Sequence, residues 1–142
     1  DNDGFVDLYV ANIDGNRLWR NQGDGTFGDV TLAAGVGHEF WTTTCLMADI
    51  NADGVADLYD VTFLTGPDIF ERICTGEDGV PRSCAPAGFP AAPDVVSLGQ
   101  GDGTFRRVTS DAGFDVPDGD GLGIVAADFD QSGKLSLFVG ND

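Results

Sequence analysis

The chain has few of the residues that several common functional classes need. Only 7 Lys and Arg stand against 24 Asp and Glu, which gives a net charge of −17 over 142 residues. A surface this acidic repels nucleic acid and anionic membranes, so we expect neither as a partner. There is one His, and no apolar run approaches the roughly 20 residues of a membrane-spanning helix. We therefore expect no nucleic-acid binding and no membrane span.

Glutamate is also scarce, so the negative charge comes almost entirely from aspartate. The short Asp side chain folds back onto its own turn, and tight cation-binding loops use it for that reason. Apolar residues make up 42% of the chain, which is too many for a disordered acidic tail. The composition predicts a folded domain that is rich in acidic loops.

Two sequence elements recur along the chain. The first reads DNDGFVDLYVAN from Asp1, DINADGVADLYDV from Asp49 and DFDQSGKLSLFVGND from Asp128. The second reads NQGDGTFGDVT from Asn21 and GQGDGTFRRVT from Gly99. A complete unit contains four short runs typical of strands, and only a turn around Thr31–Ala34 favours helix. Repeated four-stranded units predict an all-β fold of antiparallel β-propeller blades, whereas a β-sandwich does not predict the repetition.

The repeat divides the chain into three parts. Residues 1–34 correspond to a partial blade (strands 2–4), 35–112 to a complete blade with an insertion at about 66–93, and 113–142 to the start of a third blade (strands 1–2). Little more than two blades cannot close a ring, since a propeller needs about four or more. We expect either a piece of a longer propeller or copies that complete one another's blades.

The second Asp-rich loop has the spacing of a calcium site. Oxygen ligands are expected at its positions 1, 3, 5 and 9, with a backbone carbonyl at position 7: Asp49, Asn51, Asp53, Asp57 and Val55 (backbone). Gly54 permits the sharp turn that such a loop needs. This donor set favours Ca²⁺ over Mg²⁺ and excludes thiophilic metals. The alternative is an Asx-rich turn without an ion. EF-hands would need a helix after the loop, and these loops precede strand-like segments.

The other two loops match the pattern less completely. The first offers Asp1, Asp3, Phe5 (backbone) and Asp7. The third offers Asp128, Asp130 and Ser132, but Ser136 replaces a second carboxylate and Lys134 adds a positive charge. We expect weak calcium binding at the third loop, or none.

Two of the cysteines lie ten residues apart in the insertion. A Cys74–Cys84 disulfide would close a short loop and contribute about 3 kcal/mol. The alternative is a pair of free thiols. Cys45 lies in an apolar run and is expected in the core.

Together these motifs resemble a known family. The patterns D-x-[DN]-x-D-G-x-x-D-L-Y, N-R-L-W-R-N and G-D-G-T-F-x-x-V-T are similar to FG-GAP or VCBS repeats, the blade units of integrin α-like propellers, and in particular to the secreted cartilage-acidic-protein-like and bacterial branch. The resemblance implies calcium at the positions given above. It also implies an extracellular module for adhesion or for protein or glycan interaction, with calcium in a structural role. The alternative is a subunit of an extracellular assembly that forms by strand complementation between copies.

An enzymatic role is not expected. His38 has no visible Ser or Cys partner, and the acids Asp118 and Asp120 fit a loop better than a glycosidase pair. Trp19 and Trp41 could stack on sugars, but we expect them to be buried between blades.

Overall fold

The computed structural model describes residues 1–111, 113–114 and 119–142. Its regular structure is almost entirely β. The strands are β1 (Leu8–Val10), β2 (Arg17–Asn21), β3 (Phe27–Asp29), β4 (Thr42–Ala48), β5 (Asp57–Thr62), β6 (Ile73–Thr75), β7 (Pro81–Ser83), β8 (Val95–Gly99), β9 (Phe105–Arg107), β10 (Gly121–Ala127) and β11 (Ser136–Asn141). One short helix, α1, spans Thr31–Ala34, and a 3₁₀ turn spans Pro86–Gly88. The all-β prediction is confirmed.

The strands form antiparallel sheets in the order of the sequence repeat. The first sheet is β1-β2-β3, the second is β4-β5-β8-β9 and the third is β10-β11. Each sheet corresponds to one copy of the repeat, and the nine strands expected from the repeat are all present. The proposed domain boundaries stay predictions, and Ala112, at one of them, lies outside the described residues, as does Asp118.

The insertion between β5 and β8 has structure of its own. Strands β6 and β7 pair as a hairpin, where the sequence had indicated only a loop. The Cys74–Cys84 disulfide joins this hairpin to the segment that follows it, with the two Cα atoms 5.0 Å apart. The disulfide prediction is therefore confirmed. In the described part of the chain, no helix has both the length and the apolar character to cross a membrane.

Strand β5 is buried along its whole length because a sheet lies on each side of it. Alternate side chains of a strand point to opposite faces. Leu58 joins a core cluster with Leu18 of the first sheet. Tyr59 and Val61, on the other face, join a second cluster with Leu137 of the third sheet. The three sheets are thus stacked face to face, as blades are.

Glycine allows the second and third sheets to approach closely. A Cβ on Gly121 of β10 would collide with the Val61 side chain and with the Thr62 carbonyl oxygen of β5. The Thr43 hydroxyl of β4 also donates a hydrogen bond to the Gly121 carbonyl, at 2.7 Å. The first strands of neighbouring sheets therefore pack directly against each other.

Candidate metal centre

The three Asp-rich loops share one backbone conformation. Position 4 of each loop is a non-glycine residue in the left-handed region, with φ of 66° at Asn2, 64° at Ala52 and 59° at Gln131. Two residues later each loop has a glycine with positive φ (Gly4, Gly54 and Gly133). These two left-handed residues curl each loop tightly. The sequence pattern predicted the glycine but not the residue two positions before it.

In the second loop, backbone N–H groups orient the position-1 carboxylate. The N–H of Asp53 donates to Asp49 Oδ1 at 3.0 Å, and the N–H of Gly54 donates to Asp49 Oδ2 at 2.9 Å. The third loop repeats this, with N–H groups of Ser132 and Gly133 2.9 and 2.8 Å from the Asp128 carboxylate oxygens. The third loop thus keeps the scaffold despite its substitutions.

The side chains at positions 3 and 5 form a chain of short local hydrogen bonds. In the second loop Asn51 Oδ1 accepts from the N–H of Asp53 at 2.9 Å, and Asp53 Oδ1 accepts from the N–H of Val55 at 2.8 Å. In the first loop Asp1 and Asp3 accept in the same way, the latter from the N–H of Phe5 at 2.9 Å. Carbonyl coordination by Val55 and Phe5 stays a prediction.

In the third loop a serine takes the place of the position-5 carboxylate. Ser132 Oγ accepts from the N–H of Lys134 at 3.3 Å. Hydrogen bonds from the Ser132 side chain and backbone hold the pKa of Asp130 below its usual range. The loop therefore keeps an ionised Asp130 beside a neutral hydroxyl, with one carboxylate fewer than the second loop.

The position-9 aspartate has a role that the sequence pattern did not reveal. Asp57 is fully buried, and its Oδ2 accepts from the N–H of Ile50 at 2.9 Å. Its Oδ1 accepts from the N–H of Gly99, at the end of β8, at 3.0 Å. Asp7 does the same in the first sheet, where Oδ1 accepts from the N–H of Asn21 at 2.9 Å. In each case the carboxylate joins the loop to the strand paired with the one that follows the loop, β8 for Asp57 and β2 for Asp7.

The contact between β8 and Asp57 requires a glycine at position 99. A Cβ on Gly99 would collide with the Ala56 carbonyl oxygen and with the Val55 side chain. The end of β8 therefore reaches the Asp57 carboxylate only because residue 99 has no side chain. No short motif relates these residues, because Asp57 and Gly99 are 42 positions apart.

The donor set of the second loop fits a hard cation. All its candidate ligands are oxygens, which calcium prefers. An ionised carboxylate has about four acceptor positions, so Asp49 retains capacity after its two N–H contacts. As folded here, no three side chains of the His, Cys, Asp and Glu types converge within the described residues. An ion bound there would rely on the Asn51 amide and a backbone carbonyl as well as on carboxylates.

The single histidine lies in a different environment, between the first and second sheets. The side chains of His38 and Asp60 are 4% and 3% exposed, with Nε2 and Oδ2 2.9 Å apart. Tyr9 donates its hydroxyl hydrogen to the same Asp60 oxygen at 2.9 Å, and Asn16 Nδ2 donates to the Tyr9 hydroxyl at 3.0 Å. Burial, and then the Asp60 carboxylate, raise the pKa of Tyr9 well above its usual value. The network joins two sheets, and within it His38 and Asp60 are almost fully enclosed.

Cys45 lies on the same face of the second sheet, since it is paired with Asp60 across β4 and β5. It is only partly buried, not enclosed in the core as the sequence suggested. Burial, followed by the nearby Asp60 carboxylate, raises the pKa of its thiol. A thiol held in its protonated form is a poor nucleophile, which agrees with a packing role.

Comparison with known proteins adds one match. Residues 1–59 match the sequence model of a family described as an FG-GAP-like repeat. This span contains the first two Asp-rich loops and strands β1 to β4 in full. No curated protein matches the chain.

Proposed function

Since residues 1–59 match the model of an FG-GAP-like repeat, we propose that this β-propeller-type module is an extracellular calcium-binding scaffold. Calcium is structural in this proposal, and the scaffold presents loops for adhesion or for protein or glycan interaction. The observation that carries it is the curled backbone of the Asp-rich loops, together with the position-9 carboxylates that join the first two loops to β2 and β8.

A bound calcium ion would offset the electrostatic repulsion between the carboxylates of the loop. Net charge is −17, and the second loop holds three carboxylates in nine residues: half-buried Asp49, exposed Asp53 and buried Asp57. Extracellular modules bind calcium with dissociation constants of about 0.1–1 mM. At 1 mM free calcium, a site of about 0.1 mM adds about 1.4 kcal/mol to the free energy of unfolding.

The test is calorimetric titration of the chelator-treated chain with calcium, beside thermal unfolding with and without 2 mM calcium. We expect binding at the first and second loops, and a rise of about 5 °C in the unfolding midpoint for each site. Asp53→Ala should remove one site, whereas Asp24→Ala, in the exposed β2–β3 turn, should leave both. A chain with no calcium heat and an unchanged midpoint would contradict the proposal.

An extracellular location is part of the proposal. The Cys74–Cys84 disulfide supports it, because such bonds persist in oxidising compartments and calcium there is millimolar. A non-catalytic role is supported by the enclosure of His38 and Asp60, which leaves their side chains out of reach of a substrate.

A second candidate function is assembly from several copies. Phe138 of β11 occupies the position of Tyr59, and Leu8 of β1 occupies that of Leu58, but these two are 65% and 51% exposed. The equivalent residues of β5 are buried between sheets. The outer face of the third sheet on one copy therefore complements the outer face of the first sheet on another. Light scattering tests this: Phe138→Lys should convert an oligomer in calcium to a monomer, and a monomeric parent chain would contradict it.

A further inference from the structure

A cavity of about 210 Å³ opens at the base of the insertion. Three segments form it: Ile13 in the β1–β2 connection, residues 39–41 before β4, and residues 64–71 at the start of the insertion. Loops from two neighbouring sheets thus meet there, remote from the Asp-rich loops. The cavity contains none of the predicted calcium ligands.

Aromatic rings form much of its wall. Trp41 packs edge-on against Phe63, with ring centroids 5.1 Å apart, and lies 5.5 Å from the Phe70 ring at a 34° tilt. Phe70 is 63% exposed, and Trp41 is only partly buried, so the expected burial of Trp41 between blades is incomplete. Phe40 lines the same cavity.

Two carboxylates accompany these rings. The chain has only three glutamates, and two of them, Glu39 and Glu71, line this cavity. Within the described residues neither forms an ion pair, because the nearby Arg72 is held by Asp68 at 2.7 Å and stacks on Phe89. Aromatic rings and unpaired carboxylates both attract a cation. The rings act through their quadrupoles, and the carboxylates act through their negative charge.

The volume limits the size of the occupant. Sites for drug-sized ligands measure about 300–1,000 Å³, and this cavity is smaller. It fits one side chain or head group. We propose that it is a binding site for an alkylammonium group, namely a lysine side chain presented by a basic protein partner. This inference rests on the proposed interaction role and supplies the chemical class of the ligand.

The test uses the fluorescence of Trp41 in a Trp19→Phe background, since the chain has two tryptophans. N-acetyl-lysine methylamide is titrated in 2 mM calcium, with N-acetyl-norleucine methylamide as the uncharged control of similar length. We expect saturation with lysine at about 1 mM and no saturation with norleucine over the same range. Equal responses to the two compounds would overturn the proposal, as would saturation by a neutral methyl glycoside but not by lysine.

Two variants test the parts of the site. Glu71→Gln should weaken lysine binding about threefold, whereas Glu77→Gln, in the β6–β7 turn, should not change it. Phe70→Leu keeps an apolar side chain but removes the ring, and should also weaken binding about threefold. Wild-type affinity in both cavity variants would overturn the proposal. Circular dichroism establishes that each variant is folded.

The same titration in chelator separates this inference from the proposed function. Lysine binding by a chain that ignores calcium would refute the calcium role and leave the cavity proposal standing. A chain that calcium stabilises but that does not respond to lysine would refute the cavity proposal alone.

Discussion

The second and third Asp-rich loops share a backbone conformation but have different side chains at most positions, among them the predicted ligand positions 5 and 9. Both have a residue with positive φ at position 4. At position 1, both have an aspartate whose two carboxylate oxygens accept hydrogen bonds from backbone N–H groups. The second has aspartates at positions 5 and 9, where the third has Ser132 and Ser136. Since the third loop keeps its shape without these carboxylates, the shape comes from glycine and local N–H contacts. The two carboxylates add separate functions, which can be tested one at a time.

The largest expected effect comes from removing the position-9 carboxylate of the second loop. Asp57→Ala leaves the N–H groups of Ile50 and Gly99 without an acceptor in a buried place, and should lower the free energy of unfolding by about 3–5 kcal/mol. Ser136→Ala, at the same position of the third loop, should change it by less than about 0.5 kcal/mol. Urea unfolding measures both.

The same experiment distinguishes the hydrogen bonds of Asp57 to Ile50 and Gly99 from its predicted role as a calcium ligand. The loss in Asp57→Ala should persist in excess chelator, because the hydrogen bonds do not require an ion. If chelator abolished the difference from the parent chain, Asp57 would act through calcium alone and the structural role of these hydrogen bonds would be wrong.

The next effect concerns calcium at position 5. Asp53→Ala should remove the calcium-dependent gain of the second loop, about 1.4 kcal/mol at 1 mM free calcium. Asp130→Ala should leave the calcium-dependent gain unchanged, since the third loop is expected to bind weakly or not at all. Midpoints of thermal unfolding over a calcium series provide the measurement. Equal losses in the two variants would mean that both loops bind alike.

A smaller effect is expected from giving the third loop the aspartates that the second loop has at positions 5 and 9. Ser132→Asp with Ser136→Asp should add one calcium to the stoichiometry and up to about 1 kcal/mol of calcium-dependent stability. In chelator the same change should be neutral or slightly destabilising, because it adds negative charge to the loop. A double variant with unchanged stoichiometry would show that side-chain identity does not set binding in this loop.

The smallest effect belongs to Lys134. Its ammonium lies in the third loop, so Lys134→Gln should strengthen calcium binding to the double Asp variant by about twofold at low salt. The difference should shrink as ionic strength rises, because exposed charges are screened. Titrations at two salt concentrations measure it, and a difference that salt does not alter would rule out an electrostatic cause.

The strands could be predicted because their signals are local. Apolar and β-branched runs between glycine-rich turns marked β1 to β5 and β8 to β11, and the repeat supplied their order. The β6–β7 hairpin could not be predicted, since the insertion has no counterpart in the other copies of the repeat and one of its strands begins at Pro81.

Only part of the candidate site could be predicted from the sequence. Positions 1, 3, 5 and 6 of each loop are neighbours along the chain, so their pattern indicated a cation loop. The contact of Asp57 with Gly99 depends on the pairing of β5 with β8, which are separated by the insertion, and that of His38 with Asp60 spans 22 positions. The sequence carried no local signal for either contact.

The face-to-face stacking of the three sheets also determines the order in which they unfold. One core cluster lies between the first and second sheets and another between the second and third, so cooperativity passes from sheet to sheet, as in other repeat proteins. Strand β5, covered on both sides, should exchange its amide hydrogens most slowly, while β1 and β11 open first. Unfolding should therefore proceed inward from the two outer sheets, with the central sheet as the last cooperative unit.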